Sequence, residues 1–336
     1  MSTRRLIAIR ILQGLVLLVY GNAAYCQSSY KLVDLGTGEA LSVNAGGSVV
    51  GFQWNSATGH WFPFIWDSTH GLRLIAGTDV TPLKINNNNE AVGYVSNSRA
   101  AYITETGGTV DLNTVLSPTD QAVWFLSNAS DINDSGVVIG TGLYKGVDAS
   151  FILNLRTSPP TISLFPVEPG WSFSQPEAIN SSGIIVGESN VNTTRQGFAY
   201  NGAFADLPLQ YAQALNNAGD AAGRVNNQAA FLPSGARSAT LIGNLGGSTS
   251  VSRAVNLPTN GKPTTVVGDA PSGKGASAIQ HGFRWQVGGK ITDLTSLVSN
   301  LPRRWYVSTA QAVNGAGLIA GQAGDGTNNH AVVLMP

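Results

Sequence analysis

The stretch Asp131-Ile132-Asn133-Asp134-Ser135-Gly136 places oxygen-bearing side chains on alternating positions. A calcium loop begins this way, because a hard cation collects carboxylate and carbonyl oxygens. A twelve-residue loop would close on a bidentate acid, yet that position is Gly142. The ligand set is incomplete, and a tight turn is the other account of the same residues. The histidines are His60, His70, His281 and His330, and no two stand at metal-ligand spacing. His281 and His330 each open a short aromatic or apolar run, HGFRW and HAVVLM. They are either strand-end residues packed on a hairpin or a pair at one shared binding site. Trp124, Trp171 and Trp305 each stand nine residues before an asparagine. Such a residue either plugs a gap between layers or offers its face and N–H to a sugar or a peptide. No G-x-S-x-G, H-E-x-x-H or phosphate loop is present. No catalytic residue, metal ligand or cofactor is therefore assigned. Two acids meeting at a central channel would still allow carbohydrate hydrolysis or lyase chemistry, the alternative to a binding role.

The frame that must carry these residues is a repeat. Seven copies of a hydrophobic-Asn-x-x-Gly unit are anchored by Asn44, Asn86, Asn133, Asn180, Asn216, Asn256 and Asn314. Their spacings of 42, 47, 47, 36, 40 and 58 residues average 45. Asn opens a turn because its side chain bonds back to the backbone. Gly47, Gly136, Gly183, Gly219 and Gly317 close five of the turns, where the chain needs positive φ. Asn89 stands at that place in the second copy and tolerates the same conformation. A strand such as VVG follows, then a third strand (FPFIW, ASFIL, HGFRW), then a fourth of the type GTVDL or GKITDL.

Four short antiparallel strands per 45 or so residues is the period of a propeller blade. The last copy lacks a fourth strand, and YKLVDLG (30–36) before the first copy has the missing pattern. The expectation is an all-β, seven-bladed propeller over residues 27–336, its last blade completed by the N-terminal strand. A β-solenoid is the alternative, whose shorter coil period fits less well. In register, the position of Asp131 is occupied elsewhere by Ser42, Lys84, Ala178, Ala214, Ala254 and Ala312, so the carboxylate does not belong to the repeat.

Residues 1–26 read as an export signal: MSTRR, then an apolar ILQGLVLLVY too short to span comfortably, then small residues before Cys26. Cleavage after Ala23, Ala24 or Cys26 fits. Lipid attachment at Cys26 and an uncleaved anchor are the alternatives. Of the 19 basic residues, Arg4, Arg5 and Arg10 fall in this leader, leaving 16 against 19 acidic. No basic run or stripe remains, which excludes nucleic acid as a partner. Cys26 is the only cysteine, so no disulfide supports the fold.

The segments LVDLGTGEALSVNAGGSVVG, GNLGGSTSVSRAVN, HGFRW and HAVVLMP resemble the bacterial extracellular HAF repeat family, named for a His-Ala-Phe triplet. The resemblance covers nearly the whole mature chain, although His leads the triplet only at His281 and His330. It implies export and a repetitive β-fold, and no agreed activity. The sequence thus predicts a secreted or periplasmic monomeric binding module without a stable membrane span. Its expected partner is a protein or a glycan, held on the face of the long connections that end at Trp124 and Trp305.

Overall fold

A computed structural model describes residues 29–336 apart from Asn97, Glu105, Asn192, Thr193, Lys274, Ala276 and Ser277. The leader expected over residues 1–26 lies outside the described residues. Among those described, no helix is long and apolar enough to cross a membrane.

The chain folds as a run of up-and-down antiparallel strands. Five sheets have four strands each, in the orders Val80–Ile85 to Thr109–Asp111, Trp124–Ile132 to Thr161–Leu164, Trp171–Ile179 to Phe204–Asp206, Tyr211–Leu215 to Thr240–Gly243, and Val251–Val255 to Thr292–Asp293. A sixth sheet has seven strands, because Lys31–Val43 is one continuous strand serving two neighbours. Its first half pairs with Asn329–Met335, from Lys31 opposite Met335 to Thr37 opposite His330. Its second half pairs with Val49–Asn55, from Gly38 opposite Gln53 to Val43 opposite Val49. Separate sheets therefore number six. The fusion has a simple cause: strand Lys31–Val43 bends at Asp34–Thr37 instead of stopping, and its register shifts there.

Seven apolar clusters hold the units together, and each straddles two consecutive repeats. Val50 and Ile65 pack on Val80, Ala91 and Ile103. Val92 and Ala100 pack on Leu126, Val138 and Phe151. The pattern runs on to Ala312 and Ala320, which pack on Ala40, Val49 and Phe64 of the first repeat. Burial of this kind is worth about 25 cal/mol per Å² of apolar surface. It explains how a chain without disulfides stays folded.

The asparagines add a second, polar ring. Each side chain keeps its Oδ1 in its own turn, where it accepts from the backbone N–H four residues on in six of the seven units. Each Nδ2 reaches across to the carbonyl oxygen of the next repeat's asparagine. The chain of donors runs Asn44, Asn86, Asn133, Asn180, Asn216, Asn256, Asn314 and back to Asn44, at 2.9–3.3 Å. All seven are only 3–6% exposed. Each buried amide thus keeps its acceptor in its own turn and gives at least one donor to its neighbour, as burial of a polar group requires.

The glycine that ends each VVG-like run is there for close approach. At Gly187 the inner strand bulges between Pro176 and Ala178. A Cβ would collide with the Gln175 carbonyl and press on the Phe198 ring. The same carbonyl clash recurs at Gly51, Gly140 and Gly321. Gly187→Ala is expected to destabilise by about 2–3 kcal/mol, as forced overpacking does. A denaturant melt of the purified variant checks this, and a midpoint equal to the parent's would refute it.

Candidate ligand site at the hairpin end

An up-and-down meander puts the turns between strands one and two, and three and four, at one end. These include the asparagine turns. The hairpins between strands two and three, and the connections between units, gather at the opposite end. At this hairpin end the repeat frame stops dictating residue type. The residue after each repeat glycine is Phe52, Tyr94, Thr141, Glu188, Arg224, Asp269 or Gln322. Each stands directly opposite an inner-strand residue, as Glu188 opposite Gln175 and Arg224 opposite Tyr211. Cross-strand partners share one face of a sheet.

In the fourth to sixth repeats these positions build a charged arc. Arg195 Nη1 donates to Glu188 Oε1 at 2.6 Å. The Arg195 guanidinium lies 5.2 Å from the Tyr211 ring centroid, and that of Arg224 lies 4.2 Å from it. Both are cation–π separations, with the tyrosine face drawing the two cations. Arg253 Nε donates to Asp269 Oδ1 at 2.7 Å, and Gln280 donates to the same carboxylate. Gln175 Nε2 donates to Glu177 Oε1 at 2.7 Å. Burial pushes the Glu177 carboxyl up, the Gln175 bond opposes it, and the nearby Glu188 charge adds to the rise, to about 7. Burial also raises Glu188, against the pull of Arg195 and Arg224.

Four buried polar atoms in this region find no partner among the described residues: Glu188 Oε2, Asn190 Oδ1, Gln213 Oε1 and Arg224 Nε. A buried polar atom without a hydrogen bond costs about 1–3 kcal/mol. Asn128 Oδ1 in the third repeat and Asn329 Oδ1 in the seventh share this state, and buried groups of this kind ordinarily meet a partner or an ordered water.

The residues singled out from sequence fall elsewhere around the same end. Trp124 is 7% exposed and packs on Tyr144 and Phe151, with centroids at 4.8 and 6.3 Å. Trp171 is half-buried against Phe198 and Phe204. Trp305 meets His330 edge-on at 4.8 Å. The three tryptophans belong to three different clusters and form no common platform. His281 Nδ1 lies 2.7 Å from Asp293 and its ring stacks on Tyr306 at 4.8 Å. His330 Nδ1 lies 2.8 Å from Asp34. Arg99 takes the same place over Asp111 at 2.6 Å. The third-strand position thus latches onto the aspartate of the fourth strand. Burial would raise Asp293, but bonds from His281 and the Thr295 N–H outweigh it and hold the carboxyl low.

The two long connections share one internal design. Each starts with a 3-10 turn, Leu112–Val115 or Leu294–Leu297, capped by Asp111 or Asp293. Asn113 then accepts the Leu126 N–H, as Thr295 accepts that of Val307. Asp131 is likewise a structural bridge: Oδ1 accepts from Ile132 N–H and Oδ2 from Ile179 N–H in the next sheet, at 2.8 and 2.9 Å. Its carboxyl is pushed up by burial, against the Lys84 charge and those two bonds.

Sequence reading passed over Glu188, Arg195, Tyr211 and Arg224. The available signal was the position after the repeat glycine, where every copy differs. It also passed over Trp54 and Trp61, which pair across a hairpin at 5.1 Å and are each 38% exposed. Their signal was the WNSATGHW spacing.

No protein-family model matches the chain, and no curated protein matches it by sequence. Solved structures do match by shape. A chain of the mitotic checkpoint complex is similar at TM-score 0.54 and 12% identity, covering 98% of each chain. The Pyrococcus horikoshii acylaminoacyl peptidase gives TM-score 0.53 and 8% identity over 91% of this chain, which spans only 51% of the peptidase. The β-propeller domain of the trilobed protease from Pyrococcus furiosus gives 0.50 and 8%, covering 92% and 96%. Identities this low speak to architecture alone: the chain has an all-β, propeller-like fold.

Proposed function

We propose that this chain is an exported, seven-bladed propeller of the HAF-repeat type that binds a glycan or a protein at its hairpin end. The blade count is supported by the seven-membered asparagine ring and by seven inter-repeat clusters. In this reading the seven-stranded sheet is two blades sharing one strand. The observation that carries the binding role is the set of four partnerless buried polar atoms beside the Tyr211 face. Mixed charges, amides and an aromatic plane suit the hydroxyls and ring face of a glycan better than an apolar peptide.

A glycan array probed with the exported chain tests this. Binding is expected, and Arg224→Ala should weaken it about tenfold or more, the effect of losing a charge-assisted hydrogen bond. Arg73→Ala, on the exposed outer strand beside Asp67, should leave binding unchanged. Absence of saturable binding to any glycan or displayed peptide would sink the proposal. A second reading rests on one further observation. Glu177, poised at about 7 beside Glu188, is suited to donate a proton in glycoside cleavage. Glu177→Gln separates the two, since it would abolish turnover of a bound glycan and leave its binding in place.

A further inference from the structure

The inner strand of every repeat carries a β-bulge three residues before its asparagine. The register slips between Ala40 and Ser42, between Ala212 and Ala214, and at the same place in the other five repeats. A bulge leaves one residue out of the ladder and re-aims its side chain. The residues on either side of the slip show where that side chain goes. Ala212 packs with Ala178 and Val186 of the repeat before, whereas Ala214 packs with Val255 and Val266 of the repeat after. Ala310 and Ala312 divide between the sixth and the first repeat in the same way. The residue between them faces neither neighbour, and the second strand of the sheet holds one edge of the inner strand. What remains for the bulge residue is the axis of the ring.

The bulge residues are not alike. Leu41 and Leu83, from adjacent repeats, are half-buried and belong to none of the seven apolar clusters. Ser130, Glu177, Gln213, Arg253 and Gln311 complete the circle, all of them partly exposed. The Arg253 side chain is 38% exposed. Their bonds run toward the hairpin end. Gln311 Nε2 donates to Glu39 Oε1 at 2.7 Å, as Arg253 donates to Asp269 and Gln175 to Glu177. Side chains of three repeats share this interior, since the Lys84 charge opposes the rise of both Asp131 and Glu177. Nearer the asparagine end, the residue before each asparagine is Val, Ile or Leu in all seven copies. That aliphatic collar offers a hydroxyl no hydrogen bond.

We propose that the bulge ring seats the terminal sugar of a glycan, so that the glycan is held by its end and not along its length. The proposal rests on the glycan reading of the hairpin end. A pyranose has a face of C–H groups and a rim of hydroxyls. Leu41 and Leu83 meet the face, while the acid, amides and guanidinium of the opposite arc meet the hydroxyls. Side chains closed around one axis take a chain end, where an open groove would take the middle of a chain.

An array of linear oligosaccharides, each tethered in one set through its reducing end and in another through its non-reducing end, tests this with the full chain. Every oligosaccharide that binds should do so in one of the two orientations only. Leu41→Ala/Leu83→Ala lies outside the apolar clusters and should weaken that binding about tenfold or more. Ser130→Phe should abolish it by filling the ring. The tether comparison uses the parent chain, so it stands whatever the variants do to stability. Equal binding in both orientations would overturn the end-on seat and leave the hairpin-end reading in place. So would parent-like binding by both variants when Arg224→Ala weakens it. No binding of any oligosaccharide by the parent would overturn both.

Discussion

Replacing Asn133 by Asp is expected to cost about 3–5 kcal/mol at neutral pH, the range for leaving a buried charge without its partner. The two side chains have the same shape. Oδ1 can still accept from the Ser135 and Val137 N–H groups within the turn. What changes is the donor: Nδ2, which gives a proton to Asn180 O at 3.1 Å, becomes a second carboxylate oxygen facing that carbonyl. The substitution therefore breaks one link of the asparagine ring without emptying space. The sign of its pH dependence follows. Burial and the facing carbonyl raise the folded-state pKa of the new acid above its unfolded value of about 3.9. The folded state then binds the extra proton, which restores a donor. The deficit relative to the parent is full at neutral pH and shrinks as pH falls through the raised pKa. Denaturant melts of variant and parent at neutral and mildly acid pH read this directly. A deficit that does not shrink on acidification would contradict the lost-donor account, and no deficit at all would mean the ring contributes nothing.

Why the repeat was legible and the site was not comes down to what each is made of. A turn needs Asn at its start and positive φ three residues later, and Gly47, Asn89, Gly136, Gly183, Gly219 and Gly317 all have it. Such demands act on single residues within a dozen positions, so they recur in every copy and stand out. The strand pattern is local in the same sense. The link from one asparagine to the next is not local. Nothing in Asn44 announces that its amide will reach the carbonyl of Asn86, because sheet-to-sheet distance is set by the packing of the apolar clusters.

The candidate site is less legible still, since it lives in what differs between copies. Trp124, Trp171 and Trp305 attracted notice because they repeat, and repetition marks what the frame needs. Their half-buried or buried contacts with Tyr144, Phe204 and His330 fit that logic. Glu188, Arg224 and Asp269 occupy one repeat position with opposite charges, so alignment alone presents them as noise. Only pairing brings Arg195 and Arg224 onto the same Tyr211 ring. In a repeat protein, then, binding chemistry is sought at positions that the frame orients and does not choose.

Deleting Tyr30–Gly36 is expected to cost more than about 5 kcal/mol, since three side chains of this segment leave the core at about 1.5–3 kcal/mol each. Those are Tyr30, Leu32 and Leu35, all under 9% exposed. The segment is also tied by hydrogen bonds to chain 260 residues away and more. Tyr30 N–H donates to Leu297 O, Ser299 N–H to Tyr30 O, and the Asn300 amide bonds both the N–H and the carbonyl of Leu32. Without it, Asn329–Met335 becomes a bare edge carrying Val332 and Val333, an invitation to aggregation. The expected readout is a much lower melting temperature with a shift to larger species than the parent's on size exclusion. Because the missing element is a single strand adding to an existing edge, a synthetic peptide spanning residues 29–38 should dock there and recover part of the loss, as strand addition does in general. Recovery by the peptide would place the whole deficit in the missing strand. A truncated chain that melts with the parent would show that the strand does not close the structure. A deficit that the peptide leaves untouched would point instead to a strand that must be in place while the last sheet folds.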